Sequence, residues 1–186
     1  MSLTKTALAL LLTTSVAGCI GSGSEYGAEY ARLADLSTTP AAELPDTGTA
    51  SYAGYAAVDI MEEDFGDLNG DLTMMVDFAE GDIAGEIGGL SGDVGDVDGQ
   101  LSLAGQLDAN RVAGTVNGRL SRTEGDMLYG VVFDDESRFS GDMRGEDGEA
   151  IVGDFEGSVI SQEGVVGGRP YEGRSGLKGG FAIERQ

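Results

Sequence analysis

Histidine and tryptophan are absent from this sequence, cysteine occurs once and proline three times. Without histidine there is no imidazole to activate a serine or cysteine nucleophile, and none to ligate a metal. A lone cysteine, Cys19, excludes any internal disulfide. Cations are scarce as well: 11 Lys and Arg stand against 33 Asp and Glu, a net charge of −22. Such a chain repels nucleic acid and anionic lipid headgroups, both of which bind through clustered Lys and Arg. No apolar run approaches the roughly 20 residues that a membrane-spanning helix requires. Paired carboxylates are the one acid–base device left, and among 33 acids such pairs arise by chance. No enzyme activity and no cofactor are expected.

What is present begins with an export pattern. Lys5 precedes the apolar stretch Ala7-Leu8-Ala9-Leu10-Leu11-Leu12, and small residues follow. This is the layout of a signal peptide over residues 1–18, too short to span a bilayer. Val16-Ala17-Gly18-Cys19 matches the bacterial lipobox, in which the thiol takes a diacylglycerol, so Cys19 is the expected lipidation site. Losing Lys5 with the signal makes the mature chain more acidic still. By resemblance to lipoproteins of diderm bacteria, Ile20 in place of an aspartate after the cysteine directs the protein to the outer membrane.

Residues 19–45 read as a lipidated N-terminus, a Gly/Ser spacer and a short helix over 25–36, with Tyr26, Tyr30 and Leu33 on one side. Pro40 and Pro45 end any helix, and the main domain is expected over 46–186. There one short unit recurs: apolar, small or polar, glycine, polar, apolar. It appears as Ile83-Ala84-Gly85-Glu86-Ile87, Leu103-Ala104-Gly105-Gln106-Leu107, Val112-Ala113-Gly114-Thr115-Val116, Phe139-Ser140-Gly141-Asp142-Met143 and Ile151-Val152-Gly153-Asp154-Phe155. In a strand, period two places the apolar residues and the glycine on one face, and a helix would scatter them.

Strands are predicted near 49–60, 71–78, 83–87, 100–107, 111–121, 127–133, 137–144, 150–160 and 179–184. Turns are expected at Asn69-Gly70, Glu80-Gly81, Asp108-Ala109-Asn110, Asp134-Asp135 and Asp147-Gly148, and a loop over 164–177. Glycine recurring on an apolar strand face relieves crowding inside a tightly curved wall. The fold class is therefore all-β, a small soluble antiparallel up-and-down barrel of about eight strands, preceded by a short helical segment. A lipid-embedded barrel would carry its apolar face outward with aromatic girdles, and here the polar face is densely charged.

Asp93, Asp96 and Asp98, with Asp67 and Asp71, are candidate oxygen ligands for calcium, although no EF-hand frame surrounds them and a solvated acidic loop fits as well. Tyr52, Tyr55, Tyr129 and Tyr171 are candidate iron or haem ligands, with core or rim packing the plainer role. No metal site is assigned.

Leu44-Pro45-Asp46-Thr47-Gly48-Thr49-Ala50-Ser51-Tyr52-Ala53-Gly54-Tyr55 resembles the opening strand of the β-barrel domains of transferrin-binding protein B and related surface lipoproteins of Gram-negative bacteria. Leu72-Thr73-Met74-Met75-Val76-Asp77-Phe78 with Ile83-Ala84-Gly85-Glu86-Ile87 is similar to that family's second hairpin, and Gly179-Gly180-Phe181-Ala182-Ile183-Glu184-Arg185 to its closing strand. The resemblance implies a barrel acting as a binding module on a lipoprotein anchored at the cell surface, taking a host protein, haem or an iron-related ligand. This chain is one barrel long, without a handle domain, so transferrin itself is not implied. A structural lipoprotein facing the periplasm, or an acidic calcium-binding barrel, are the other readings that the residues leave open.

Overall fold

The computed structural model describes residues 25–61, 64–165 and 171–186; the expected signal segment, Cys19 and the expected spacer lie outside them. Helix α1 (Glu25–Ala34) is followed by ten strands: β1 (Thr49–Ile60), β2 (Gly66–Asp77), β3 (Asp82–Gly92), β4 (Gly95–Asp96), β5 (Asp98–Asp108), β6 (Arg111–Glu124), β7 (Met127–Phe133), β8 (Arg138–Arg144), β9 (Ala150–Val165) and β10 (Tyr171–Arg185). All pairings are antiparallel, and β1 pairs with both β2 and β10, so the wall closes on itself. Strands β7 and β8 occupy one place in that wall. Both lie between β6 and β9, β7 along one half of their length and β8 along the other. With β4 a two-residue spur on β3, the result is an eight-stranded closed barrel.

The alternation read from the sequence sets the two faces. Ile83, Ile87, Leu103, Val112, Val116, Leu120, Phe139, Met143, Ile151 and Phe155 are buried in one continuous core. Asp67, Asp71, Glu86, Asp98 and Asp108, outward on the same strands, are exposed. This is the opposite of a lipid-facing wall. Among the described residues no helix is long and apolar enough to cross a membrane.

The inward glycines have a specific use. Gly114 on β6 lies directly opposite Phe139 on β8, and Gly153 on β9 opposite Phe181 on β10. A β-carbon at Gly114 would stand 2.6 Å from the Phe139 ring, and one at Gly153 would stand 2.6 Å from the Phe181 ring. Each phenylalanine thus lies over a bare stretch of backbone across the strand pair, the arrangement by which aromatics cover strand glycines. Phe139, Phe155 and Phe181 meet one another, with centroids 5.1 Å apart for Phe155 and Phe181 and 6.3 Å for Phe139 and Phe181. Three large rings fit inside a small barrel because each has a glycine opposite it on one neighbouring strand: Gly114 for Phe139, Gly179 for Phe155 and Gly153 for Phe181.

Three expectations are corrected. Asn69-Gly70 is no turn: both lie within β2, where Leu68, Gly70, Leu72, Met74 and Val76 form an unbroken inward row. The hairpin comes earlier, before Gly66, and the irregularity falls on the partner strand, whose pairing jumps from Ser91 to Gly88. Asp134-Asp135 does not join a hairpin, since β7 and β8 run on in the same direction with a short break between them. The break is held by its neighbours: Ser137 Oγ donates to the Ser158 carbonyl at 2.8 Å, and the Val116 amide to the Ser137 carbonyl at 2.8 Å. Gly157, with φ +131°, lets the Glu136 carbonyl come in against β9 where any β-carbon would collide with it. The expected loop over 164–177 is largely strand, because β9 continues to Val165 and β10 begins at Tyr171.

Helix α1 lies on the outer wall. Leu33 is fully buried against Ala150, Val152 and Ala182, which point outward from β9 and β10, and Tyr30, Ala34 and Leu36 pack around it. Tyr26 meets Tyr55 of β1 edge to face at 4.6 Å. Arg144 donates through Nη1 to the carbonyls of Ala34 (2.8 Å) and Leu36 (2.9 Å), satisfying acceptors at the helix C-terminus.

Candidate functional site

The described side chains that point inward pack into one continuous core, as those of an eight-stranded barrel can. One end is also sealed. The chain from Ser37 to Leu44 crosses it: the Thr39 hydroxyl donates to the Gly145 carbonyl at 2.7 Å, Asn110 Nδ2 donates to the Thr39 carbonyl at 2.9 Å, and Leu44 is buried. The buried Tyr52 hydroxyl donates to the Gly148 carbonyl at 2.8 Å and accepts from Arg185 Nη2 at 3.2 Å. Arg185 also donates to the carbonyls of Asp147 and Gly148 and lies over the Tyr52 ring at 5.7 Å. The outer wall and the opposite rim are the surfaces left open by this packing.

The described candidates Tyr52, Tyr55 and Tyr129 each have other partners. Tyr52 belongs to the seal, and burial raises its pKa further than Arg185 lowers it, which disfavours the phenolate a metal would need. Tyr55 is engaged with Tyr26. Tyr129 lies under the Arg122 guanidinium at 4.5 Å, and its pKa is raised by desolvation and by Asp64, Glu163 and Glu124. The side chain of Tyr171 lies outside the described ones.

The aspartates do not converge either. Among the described residues no three Asp, Glu, Cys or His side chains are placed to hold a metal ion. Asp67 instead pairs across the strands with Asp59. Desolvation, then the Asp67 charge, raise the Asp59 pKa, and Lys178 partly offsets them. The sign of the consequence follows. Below the ordinary aspartate value of 3.8 the carboxyl is neutral in folded and unfolded chains alike. As pH rises past that value the unfolded chain ionises first, and the barrel loses stability until Asp59 itself is charged. Asp67→Asn should therefore stabilise the barrel at pH 7 by about 0.2–1 kcal/mol, the range for like charges directly opposed in a sheet. It should have no effect near pH 3, and melting curves at the two pH values check this.

Charge is segregated around the barrel, a feature that a net total hides. Between Arg32 and Arg111 the sequence contains no Lys or Arg, while acids recur throughout. Strands β1, β2, β3 and β5 are neighbours in the sheet, so this stretch becomes one contiguous acidic face without a single cation. Apart from Arg32 on α1, the described cations lie on β6 to β10, and several are engaged: Arg122 with Asp64 (3.5 Å) and Glu124 (2.9 Å), Arg174 with Glu136. On the acidic face a groove of about 590 Å³ runs along the outer wall over Met75, Ala84 and Ala104, with Asp77, Asp82 and Gln106 at one side. Met75 is 53% exposed there.

Comparison with known proteins places this geometry. The family model of the C-lobe and N-lobe β-barrels of transferrin-binding protein B matches residues 44–173. Among solved structures, a variant of the vaccine antigen transferrin-binding protein B from Haemophilus parasuis superposes with a TM-score of 0.51 at 18% identity over 80% of this chain. A double mutant of the same antigen gives 0.52 at 17% identity, again over 80% of this chain. The chain spans 28% of the length of each. No curated protein sequence matches it. A family match across most of the chain and a shared barrel agree: the chain belongs to the family of transferrin-binding protein B β-barrels.

Proposed function

We propose that this protein is a non-enzymatic lipoprotein of the outer membrane, held by acyl chains on Cys19, that displays its barrel at the cell surface to capture a host protein, haem or an iron-related ligand. The observation that carries the reading is a barrel of a binding-protein family with a packed interior, which leaves recognition to the exterior. The lipobox at Val16-Ala17-Gly18-Cys19 supports the anchor. Two acyl chains bury enough methylene groups, at about 0.8 kcal/mol each, to hold a protein stably in a bilayer.

Cys19→Ala should move the protein from the membrane to the soluble fraction, and antibody raised against the barrel should label intact cells that carry the wild type. Residues 20–186, immobilised, should retain a partner from host serum or from iron-starved culture medium. Protection of the barrel from protease added to whole cells would overturn surface display in favour of a structural role inside the envelope.

A further inference from the structure

We propose that the outer wall formed by β2, β3 and β5 receives a cationic amphipathic helix of a partner protein, an inference that rests on the binding-module reading and assigns it a surface. Met75, Ala84 and Ala104 stand side by side on three adjacent strands, since Met75 pairs with Ala84 and Ala84 with Ala104. All three point outward and are exposed. At strand spacings of roughly 4.8 Å they make an uncharged row about 10 Å long across the strands, and the next outward rows lie roughly 7 Å away along the strands, so a helix about 10 Å in diameter laid along the row has those rows at its two flanks.

Acids flank the strip on both sides. Glu86 lies on the next outward row of β3, and Asp77 and Asp82 close the other side. Among the described residues none of these three acids forms an ion pair: Asp77 accepts from the amides of Ala79 and Glu80, and Asp82 from Gln106. No cation from this half of the barrel can reach them, because none exists there. A second copy of this chain would bring the same charge sign to the wall and is disfavoured. A partner with Lys or Arg beside an apolar stripe supplies both complements.

The molecule already uses this kind of contact once. Helix α1 seats Leu33 on the small outward residues Ala150, Val152 and Ala182, and beside it Arg32 pairs with Glu184 at 2.8 Å. The strip over Ala84 and Ala104 repeats that socket on the far wall, small side chains beside carboxylates, and both alanines are exposed among the described residues. At Met75, Ala84 and Ala104 each strand is paired on both sides, so there a partner must lie on the wall rather than extend it.

The probe is a synthetic Lys/Leu amphipathic peptide of about 18 residues, roughly five helical turns, titrated into the full mature chain and followed by fluorescence anisotropy and amide chemical shifts. A scrambled peptide of identical composition is the comparison. Ala104→Arg places a like charge in the strip, and Leu128→Arg adds the same charge on β7, away from it; both sites are exposed, and circular dichroism verifies folding. The proposal expects shifts centred on β2, β3 and β5, loss of about tenfold or more in affinity for Ala104→Arg, and little change for Leu128→Arg. Equal binding of the scrambled peptide, or equal weakening by both variants, would overturn it as mere charge attraction. Shifts confined to the barrel rims would overturn the strip while leaving the binding-module reading intact.

Discussion

Gly114→Val should destabilise the barrel by about 3 kcal/mol or more, at the upper end of what overpacking costs, because the new side chain meets backbone as well as a ring. A β-carbon at Gly114 would stand 2.6 Å from both the Phe139 ring and the Gly105 backbone, and would collide with the carbonyl of Ala104. For a domain of this size each kcal/mol is worth roughly 2–4 °C, so the melting temperature should fall by about 6–12 °C. The double variant separates the two collisions. Phe139→Ala alone should cost about 3–5 kcal/mol through the cavity it leaves. Combined with Gly114→Val it should cost clearly less than the sum, since the valine then occupies part of the space the ring vacated. Strict additivity would show that the ring does not dictate the glycine.

Leu33→Ala should cost about 2–3 kcal/mol, and the loss should be local. Leu33 is fully buried, yet its cluster on Ala150, Val152 and Ala182 is distinct from the barrel core. Truncation leaves the helix attached chiefly by Arg144, by the Arg32–Glu184 pair and by Tyr26 against Tyr55. A cost of about 2 kcal/mol raises the population of the undocked helix roughly thirtyfold, and proteolysis of an open segment tracks that population. Trypsin cleavage after Arg32 should accelerate accordingly, while the main melting transition moves only a few degrees. Equal acceleration of cuts at Arg111 and Arg138 would instead make the helix an integral part of one cooperative unit.

The barrel was legible because its inward rows alternate, and because glycine takes the inward place opposite Phe139 and Phe181. The helix was legible in Tyr26, Tyr30 and Leu33 sharing a side. Errors arose where a local signal outvoted the row. Asn69-Gly70 is a strong hairpin dipeptide, but Gly70 occupies an inward position between Leu68 and Leu72, and the alternation carried the correct answer. The start of β10 was hidden for another reason: Ser175 is buried there and Gly173 precedes it, so the inward row is written in small residues instead of apolar ones. Candidate ligands fared differently. Residue type alone nominated Tyr52, and only the fold shows its hydroxyl closing the barrel end against Gly148. The acidic face was written openly in the cation-free stretch from Arg32 to Arg111, but its contiguity depends on β1, β2, β3 and β5 being neighbours.

The seam between β1 and β10 governs when this chain can fold. Hairpins such as β5 with β6 join residues close in sequence and form early, whereas Tyr52 must find Arg185 almost a whole domain away. That long closure bears the largest loop-entropy cost of any pairing in the wall. Until β10 arrives, β1 and β9 each present an unzipped margin and the Phe181 ring is missing from the centre. β10 is thus the keystone of the wall: the strands before it stay pliable until it docks against β1 and β9 together, and the barrel locks in that single step.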